Sequence, residues 1–144
     1  VRFAIEMTAL LVPPMQKSSW GRIVHVSSIN AVTGGTMVEP YGGAPAYSCA
    51  KAYLNMYTKV LARELAKDNV IVSAVMPGTI LSKGKHWDKL QKKEPHKIKE
   101  YLERHHAIGR FGDAAEIAPF VLLLSSSHAS FAAGLLVNID GGML

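Results

Sequence analysis

The stretch V70-I-V-S-A-V-M-P-G78 is an apolar run that a Pro-Gly pair closes. A continuous run of this length, without polar alternation, is typical of a strand buried on both faces of a parallel sheet. Two shorter apolar runs have the same character, at residues 22–26 and 135–139, and polar or glycine residues follow each of them. The sequence therefore predicts three buried strands, each with a turn at its carboxyl end.

Segments with helical periodicity separate the predicted strands. From Ala46 to about Lys67 an apolar stripe covers nearly half of the helix circumference, which predicts burial against more than one surface. The stripe consists of Ala46, Ala50, Tyr53, Leu54, Met56, Tyr57, Val60, Leu61 and Leu65. Asp113 is predicted to cap a later helix that runs to about Ser126, with Glu116 in the capping-box position. Alternating strands and helices predict a parallel sheet, right-handed crossovers and helices on both faces.

The first segment is also helical in period, and we expect its helix to end at Pro13-Pro14 because proline cannot donate within a helix. Neither a capping residue nor an initiator methionine precedes Val1, so we expect the sequence to be part of a longer domain. The segment from Ala31 to Pro45 contains two glycine pairs and two prolines, which predicts an irregular loop.

The composition is that of a globular protein. The 144 residues are 49% hydrophobic and 19% charged, which is enough apolar content for one buried core. The net charge of +5 is concentrated between Lys83 and His106, which hold seven lysines and one arginine against four acids. Without interleaved aromatic residues this segment is not typical of nucleic-acid binding. Its apolar positions favour one or two short helices over residues 81–106 that form a substrate lid.

Several kinds of site are not indicated by the sequence. The single cysteine, Cys49, cannot form an internal disulfide, and we expect a small buried residue in a reducing, cytoplasmic compartment. No apolar stretch reaches the roughly 18 residues that span a bilayer. The six histidines are scattered without the spacing of a metal site, and we expect each to be solvated or packed on a strand.

A candidate for proton transfer lies in the segment A46-Y-S-C-A-K-A52. Tyr47 and Lys51 are four residues apart, so on a helix the ammonium lies beside the phenol. A neighbouring cation favours the phenolate form, which makes a tyrosine usable as an acid and base. The Tyr-x-x-x-Lys pattern alone is weak and commonly marks an ordinary helix flank. Its position between a strand that ends in serines and a strand that ends in Pro-Gly strengthens the catalytic interpretation.

The predicted strand ends suggest what this pair acts on. Ligands of parallel α/β sheets gather at the carboxyl ends of the strands, where Ser27-Ser28 and Pro77-Gly78 lie. A serine hydroxyl, a phenol and an ammonium around one cleft suit the interconversion of a carbonyl and an alcohol, with a cofactor that supplies the hydride.

The ordered motifs resemble the carboxyl-terminal portion of a short-chain dehydrogenase/reductase across essentially the whole chain. They are G21-R-I-V-H-V-S-S28, Y47-S-C-A-K51, P77-G-T-I-L-S82, G109-R-F-G-D-A-A-E-I-A118 and G134-L-L-V-N-I-D-G-G142. The resemblance implies the carboxyl-terminal half of a Rossmann-type doubly wound parallel sheet. It also implies NAD or NADP as cofactor, an alcohol or ketone as substrate, relatives among 3-oxoacyl reductases, and a homodimer or homotetramer.

The resemblance also assigns roles to residues. Ser28, rather than Ser27, orients the substrate because it lies seven positions after Gly21, Tyr47 is the acid and base, and Lys51 assists Tyr47 and binds the nicotinamide ribose. The other implied cofactor contacts are Pro77, Gly78, Ile80 and Ser82. An acidic or phosphopantetheine-linked substrate under the lid is a further hypothesis.

Three departures from the family pattern keep an alternative open. The glycine-rich dinucleotide fingerprint and the active-site asparagine of the family are absent from the 144 residues. Ser28 and Tyr47 are also 19 positions apart, which suggests an insertion in the loop from Ala31 to Pro45. The alternative is a catalytically silent binding or subunit-pairing fragment of the same fold.

Overall fold

The computed structural model describes residues 1–34 and 45–143, and within them three strands form one parallel sheet. The strands are β1 (Gly21–Val26), β2 (Val70–Pro77) and β3 (Leu136–Ile139), in the order β1-β2-β3. Val24 pairs with Ser73, and Val75 pairs with Val137. Every residue of β2 from Val70 to Met76 is buried, as the unbroken apolar run predicts for a central strand.

The helices connect and cover these strands. They are α1 (Arg2–Lys17), α2 (Asn30–Thr33), α3 (Pro45–Leu65), α4 (His86–Lys93), α5 (Pro95–His105) and α6 (Ala114–Leu124). Short 3₁₀ turns follow α3 and α6 at Ala66–Asp68 and Ser127–Ala129. Of the expected irregular loop from Ala31 to Pro45, residues 31–33 belong to α2, which ends at Gly34 with a left-handed φ of 79°, and Pro45 is the first residue of α3. The remainder of the predicted insertion, residues 35–44, lies outside the described residues.

The two faces of the sheet carry different helices. Val70 and Val72 pack against Leu61 and Leu65 of α3, together with Val12 and Met15 of α1. Val75 instead packs against Leu124 of α6. Because successive side chains of a strand point to opposite faces, α1 and α3 cover one face and α6 covers the other. The predicted α/β architecture with helices on both faces is confirmed.

This arrangement corrects the prediction that the crossovers are all right-handed. The strand order β1-β2-β3 runs in one direction, while α3 and α6 lie on opposite faces. Two parallel crossovers that step in the same direction on opposite faces must have opposite hands. The β1-to-β2 connection packs one long helix, α3, on the sheet, and such crossovers are almost always right-handed. We therefore assign the left hand to the long β2-to-β3 connection, which contains α4, α5 and α6.

The expected end of α1 at Pro13-Pro14 is wrong, since the helix continues to Lys17. Its last turn is held by one tertiary contact and one local hydrogen bond. Met15 packs against the core cluster that α3 and β2 form, and the main-chain N–H of Trp20 donates to the Met15 carbonyl at 3.1 Å. The chain then enters β1 directly beneath Met15, where a Cβ on Gly21 would lie 2.7 Å from the Met15 sulfur.

The apolar stripe of α3 is covered on one side only. Leu54, Leu61 and Leu65 are buried against the sheet, whereas Met56 is 61% exposed and Val60 is 45% exposed. Several apolar side chains of α1 are exposed as well, among them Phe3 and Leu10. The expectation that Cys49 is buried is wrong, because Cys49 is exposed and its neighbour Ser48 occupies the buried position on the helix.

Residues 81–106 form two short helices, as predicted, with a small core of their own. Ile98 and Leu102 of α5 pack with Phe111, and Trp87 of α4 stacks on Tyr101 at a centroid distance of 5.2 Å. Among the described residues, no helix combines the length and apolar character needed to cross a bilayer.

The predicted capping box of α6 is confirmed. The Asp113 carboxylate accepts from the Ala115 N–H at 2.7 Å, and Glu116 accepts from the Asp113 N–H at 2.9 Å. Arg110 makes two further hydrogen bonds to the Glu116 carboxylate, at 2.9 and 2.7 Å. These donors, with the Arg110 side chain contributing most, lower the pKa of Glu116 from 4.5 to about 2.

We expect this carboxylate to make stability depend on acid pH. A lowered folded-state pKa contributes stability above pH 4.5 that is lost as the pH falls toward about 2. The unfolding free energies of the wild type and Glu116→Gln, from urea titrations, should therefore converge over this range. Glu103→Gln is the control, because that carboxylate is 61% exposed and 3.8 Å from Lys99. A difference between wild type and Glu116→Gln that stays constant from pH 6 to 3 would contradict the prediction.

Candidate active site

Two adjacent serines follow β1, and the structure gives them different environments. The Ser27 hydroxyl donates to the main-chain carbonyl of Lys51 at 3.2 Å and is only 3% exposed. The Ser28 hydroxyl accepts from the Asn30 N–H at 3.2 Å. A hydroxyl that accepts a hydrogen bond keeps its own proton to donate. Ser27 therefore ties β1 to α3, while Ser28 can still donate to a ligand.

Tyr47 and Lys51 lie together on the first turns of α3. The Lys51 Nζ lies 5.6 Å from the centroid of the Tyr47 ring and donates to the main-chain carbonyl of Val26 at 2.7 Å. The ammonium is therefore fixed between the end of β1 and the phenol. The Tyr47 side chain is 45% exposed, so a ligand can reach it.

Pro77 and Gly78 join the three strand ends into one unit. The Pro77 carbonyl accepts from the N–H of Ile29, which follows Ser28, and the Gly78 N–H donates to the Ile139 carbonyl, both at 3.0 Å. A Cβ on Gly78 would lie 2.7 Å from the Cα of Asp140. Glycine is required here because the main chain just after β3 passes so close to the turn.

Ile80 forms an isolated parallel bridge with Gly112. The hydrogen bonds of this bridge are made by its neighbours: the Gly112 N–H donates to the Thr79 carbonyl, and the Leu81 N–H donates to the Gly112 carbonyl. In a parallel ladder the N–H and C=O of one residue point to the same side, opposite to those of its neighbours. The main-chain groups of Ile80 therefore point away from Gly112, where they can bind a ligand.

Clefts border this segment on two sides. One, of about 430 Å³, is lined by Gly78, Thr79 and Ile80 together with Asp140 and residues at the start of α6. The second is a more open, apolar groove lined by Val26, Pro77, Ile80 and α6. Ser82, the last implied cofactor contact, is exposed, and its carbonyl accepts from the Lys85 N–H at the entry to α4.

Two histidines are buried, His25 and His106, and only His25 lies in an environment that the sequence predicts. His25 is packed on β1, as expected, and its Nδ1 lies 2.8 Å from the Thr58 hydroxyl. That hydroxyl donates its own proton to the Leu54 carbonyl. It therefore accepts a hydrogen bond from His25, whose Nδ1 is the protonated ring nitrogen. Burial lowers the pKa of His25 and is also the main cause that lowers the pKa of His106.

His106 contradicts the expectation that every histidine is solvated or packed on a strand. It follows α5, is only 4% exposed, and places Nε2 at 3.1 Å from the Thr79 hydroxyl. The two residues are 27 positions apart, so no local spacing in the sequence signals their contact. Within residues 1–34 and 45–143, no group of three or more His, Cys, Asp or Glu side chains is arranged to hold a metal ion.

Comparison with known proteins places these features in a family. A family model described as Enoyl-(Acyl carrier protein) reductase matches residues 2–144. The 3-oxoacyl-[acyl-carrier-protein] reductase FabG of Aquifex aeolicus is 39% identical over 129 residues, which are 90% of this chain and 47% of that protein. FabG of Thermotoga maritima is 35% identical over 139 residues, which are 96% of this chain and 52% of that protein. The chain thus spans about half the length of the curated relatives it matches.

Solved structures agree with this assignment and with the Rossmann-type fold. The L-sorbose reductase of Gluconobacter frateurii, complexed with NADPH and L-sorbose, has a TM-score of 0.85 and 34% identity, over 100% of this chain and 55% of that one. A 3-oxoacyl (acyl-carrier-protein) reductase of Agrobacterium tumefaciens with NADP bound has a TM-score of 0.84 and 28% identity, over 96% of this chain and 50% of that one. The sequence and structural likenesses together show that the chain belongs to the short-chain dehydrogenase/reductase family.

Proposed function

We propose that the protein containing this chain is an NAD(P)-dependent oxidoreductase that interconverts a secondary alcohol and a ketone. The observation that carries the proposal is the placement of the Lys51 ammonium over the Tyr47 ring and against the end of β1. Tyr47 gives a proton to the ketone oxygen in reduction and takes it back from the alcohol in oxidation. A bound nicotinamide supplies or receives the hydride.

The residues of this chain fit such a cofactor at its nicotinamide end. The main-chain N–H and C=O of Ile80 point away from Gly112, as the bridge geometry requires, and can bind a carboxamide. Lys51 can donate to ribose hydroxyls from its position at the end of β1, and Pro77-Gly78 lets the ring approach the sheet edge. The bound NADP and NADPH of the two structural relatives make NADPH the first nucleotide to test.

Ser28 would orient the substrate in this site. Its hydroxyl has a proton to donate to the substrate oxygen, whereas the hydroxyl of Ser27 donates to the Lys51 carbonyl. The names of the relatives suggest two substrate classes, 3-oxoacyl thioesters and ketoses. The two basic helices α4 and α5 would form the lid over the substrate, and their charge favours the acidic acyl-carrier class.

The exposed apolar side chains of α1 and α3 favour a second copy of the protein as partner. Phe3 and Leu10 are 75% and 71% exposed, and Met56 on α3 is 61% exposed. Apolar surface of this extent on two neighbouring helices is typical of an interface. A cytoplasmic location, with Cys49 kept reduced, is part of the same proposal.

The test of the proposed function is an activity measurement on the full gene product. NADH or NADPH is mixed with a panel that includes a 3-oxoacyl thioester and a ketohexose, and absorbance at the nicotinamide band is followed. We expect substrate-dependent oxidation of at least one nucleotide. If neither nucleotide is oxidised with any ketone and both still bind, the proposal gives way to a catalytically silent binding protein.

We expect Ser28→Ala to lower kcat by about 10- to 100-fold, because a donor to the substrate oxygen is lost in the transition state. The KM of the nucleotide should change little, since Ser28 is assigned to the substrate. Ser27→Ala is the comparison variant, and its main effect should be on stability because Ser27 ties β1 to α3. A larger loss of kcat in Ser27→Ala than in Ser28→Ala would reverse the assignment.

A further inference from the structure

His106 lies where three parts of the fold meet. It follows α5 directly, so it ends the lid segment. Its ring faces Thr79, which lies between the Pro-Gly turn and Ile80. On its other side the ring is close to the turn that follows β3, since its Nδ1 would lie 3.9 Å from a Cβ on Gly141. This side chain thus lies between the end of the lid segment, the cofactor segment and the turn after β3.

The Thr79 side chain depends on this contact. Thr79 is 8% exposed, and its hydroxyl lies 3.1 Å from the Nε2 of His106. The other neighbour of the hydroxyl is the Met143 sulfur at 3.6 Å, which is a weak acceptor. A buried hydroxyl without a good partner costs free energy, so removal of the imidazole would leave Thr79 poorly satisfied.

The main chain around Thr79 transmits this contact to Ile80. The Thr79 carbonyl is held by the Gly112 N–H at 3.0 Å, and the Leu81 N–H is held by the Gly112 carbonyl at 2.9 Å. His106 holds the side chain of the same residue. With Thr79 fixed by both its carbonyl and its hydroxyl, the direction of the Ile80 main-chain groups is fixed as well.

We propose that His106 is a positioning residue, whose hydrogen bond to Thr79 sets the place where the Ile80 main chain receives the nicotinamide. The inference rests on the proposed function for its ligand, and on the geometry of His106, Thr79 and Gly112 for its mechanism. His106 touches neither substrate nor cofactor in this account. It acts through Thr79, and it couples the exit of the lid to the cofactor segment.

The experiment removes the hydrogen bond from each side in the full gene product. Thr79→Val keeps the shape of the side chain, and His106→Leu keeps an apolar filling of the space. Each should raise the dissociation constant of NADPH about tenfold, as expected for the loss of one buried hydrogen bond. The double variant should be no worse than either single variant, because both changes break the same contact.

A conservative variant and a matched control make the readout specific. His106→Gln retains a side chain that can donate to or accept from the Thr79 hydroxyl, so it should bind NADPH within about threefold of the wild type. His128→Gln makes the same chemical change at an exposed histidine and should leave binding unchanged. Equal losses in His106→Gln and His106→Leu, additive effects in the double variant, or unchanged affinity in Thr79→Val would each overturn the proposal.

Hydrogen exchange separates this inference from the proposed function. The exchange rates of the Gly112 and Leu81 amides, whose hydrogen bonds form the bridge around Ile80, are measured in the absence of nucleotide. Faster exchange of both amides in Thr79→Val and His106→Leu supports the positioning role, even if the wild type binds no nucleotide. A wild type that binds no nucleotide would count against the proposed function alone. Unchanged exchange in both variants would overturn the positioning role, whatever the nucleotide affinity.

Discussion

Replacement of Tyr47 by phenylalanine is expected to lower kcat by about 10²- to 10⁴-fold, the usual contribution of a positioned general acid and base. The change removes only the phenolic oxygen. The aromatic ring that the Lys51 ammonium overlies at 5.6 Å is kept. The hydrogen bond from Lys51 to the Val26 carbonyl does not involve the phenol, so the ammonium should stay in place. We therefore expect the dissociation constant of the nucleotide to change by less than about threefold.

The comparison variant for this prediction is Tyr53→Phe. Tyr53 lies on the same helix, is 47% exposed, and stacks on Tyr57 at a centroid distance of 5.9 Å. The Tyr53→Phe variant loses the same oxygen at another place on α3, and its kcat should stay close to that of the wild type. The kcat of both variants is measured by steady-state kinetics with saturating nucleotide. A Tyr47→Phe protein that retains more than about a tenth of the wild-type kcat would refute the role of Tyr47 in proton transfer.

Replacement of Gly78 by alanine is expected to destabilise the fold by about 1–3 kcal/mol, the usual cost of an extra group in a tightly packed place. The added Cβ would lie 2.7 Å from the Cα of Asp140 and 2.9 Å from its carbonyl oxygen. Both are main-chain atoms, so the end of β2 and the turn after β3 would have to move apart. The hydrogen bond from the Gly78 N–H to the Ile139 carbonyl would be strained by this movement.

Gly112→Ala is the matched control for Gly78→Ala. A Cβ on Gly112 also meets a close atom, at 2.8 Å, but that atom is the Cδ1 of Ile80, which a rotation of the side chain can move. Urea unfolding of both variants should show the smaller loss for Gly112→Ala. If Gly78→Ala is as stable as Gly112→Ala, the main chains of β2 and β3 do not constrain each other as described.

The strands were the part of the fold most readily predicted from sequence. The run from Val70 to Met76 predicts a strand buried on both faces because no polar residue larger than serine interrupts it, and β2 is indeed central. The start of α6 was predicted for a similarly local reason, since Asp113 and Glu116 satisfy each other's neighbouring amides within one turn. Local signals of this kind do not depend on the rest of the molecule.

Predictions that ignored tertiary contacts were less successful. Two prolines should end α1, but the packing of Val12 and Met15 beneath α3 keeps the last turn helical to Lys17. The stripe of α3 predicts burial against more than one surface, and the structure shows one of these surfaces, the sheet. The stripe does not say which residues meet the sheet. In the structure Leu61 and Leu65 do so, while Val60 does not. The roles of Ser28, Tyr47 and Lys51 stay predictions, which the variants above test.

The sequence by itself determined the order of strands and helices and the close spacing of Tyr47 and Lys51, because these depend on periodicity and on neighbours within a few residues. Only the tertiary structure decided the opposite hands of the two crossovers and the different hydrogen bonds of Ser27, which is tied to α3, and Ser28. It also decided the contact of His106 with Thr79. The physical reason is that these features depend on which face of the sheet each long connection covers, and on hydrogen bonds between groups 24 and 27 residues apart.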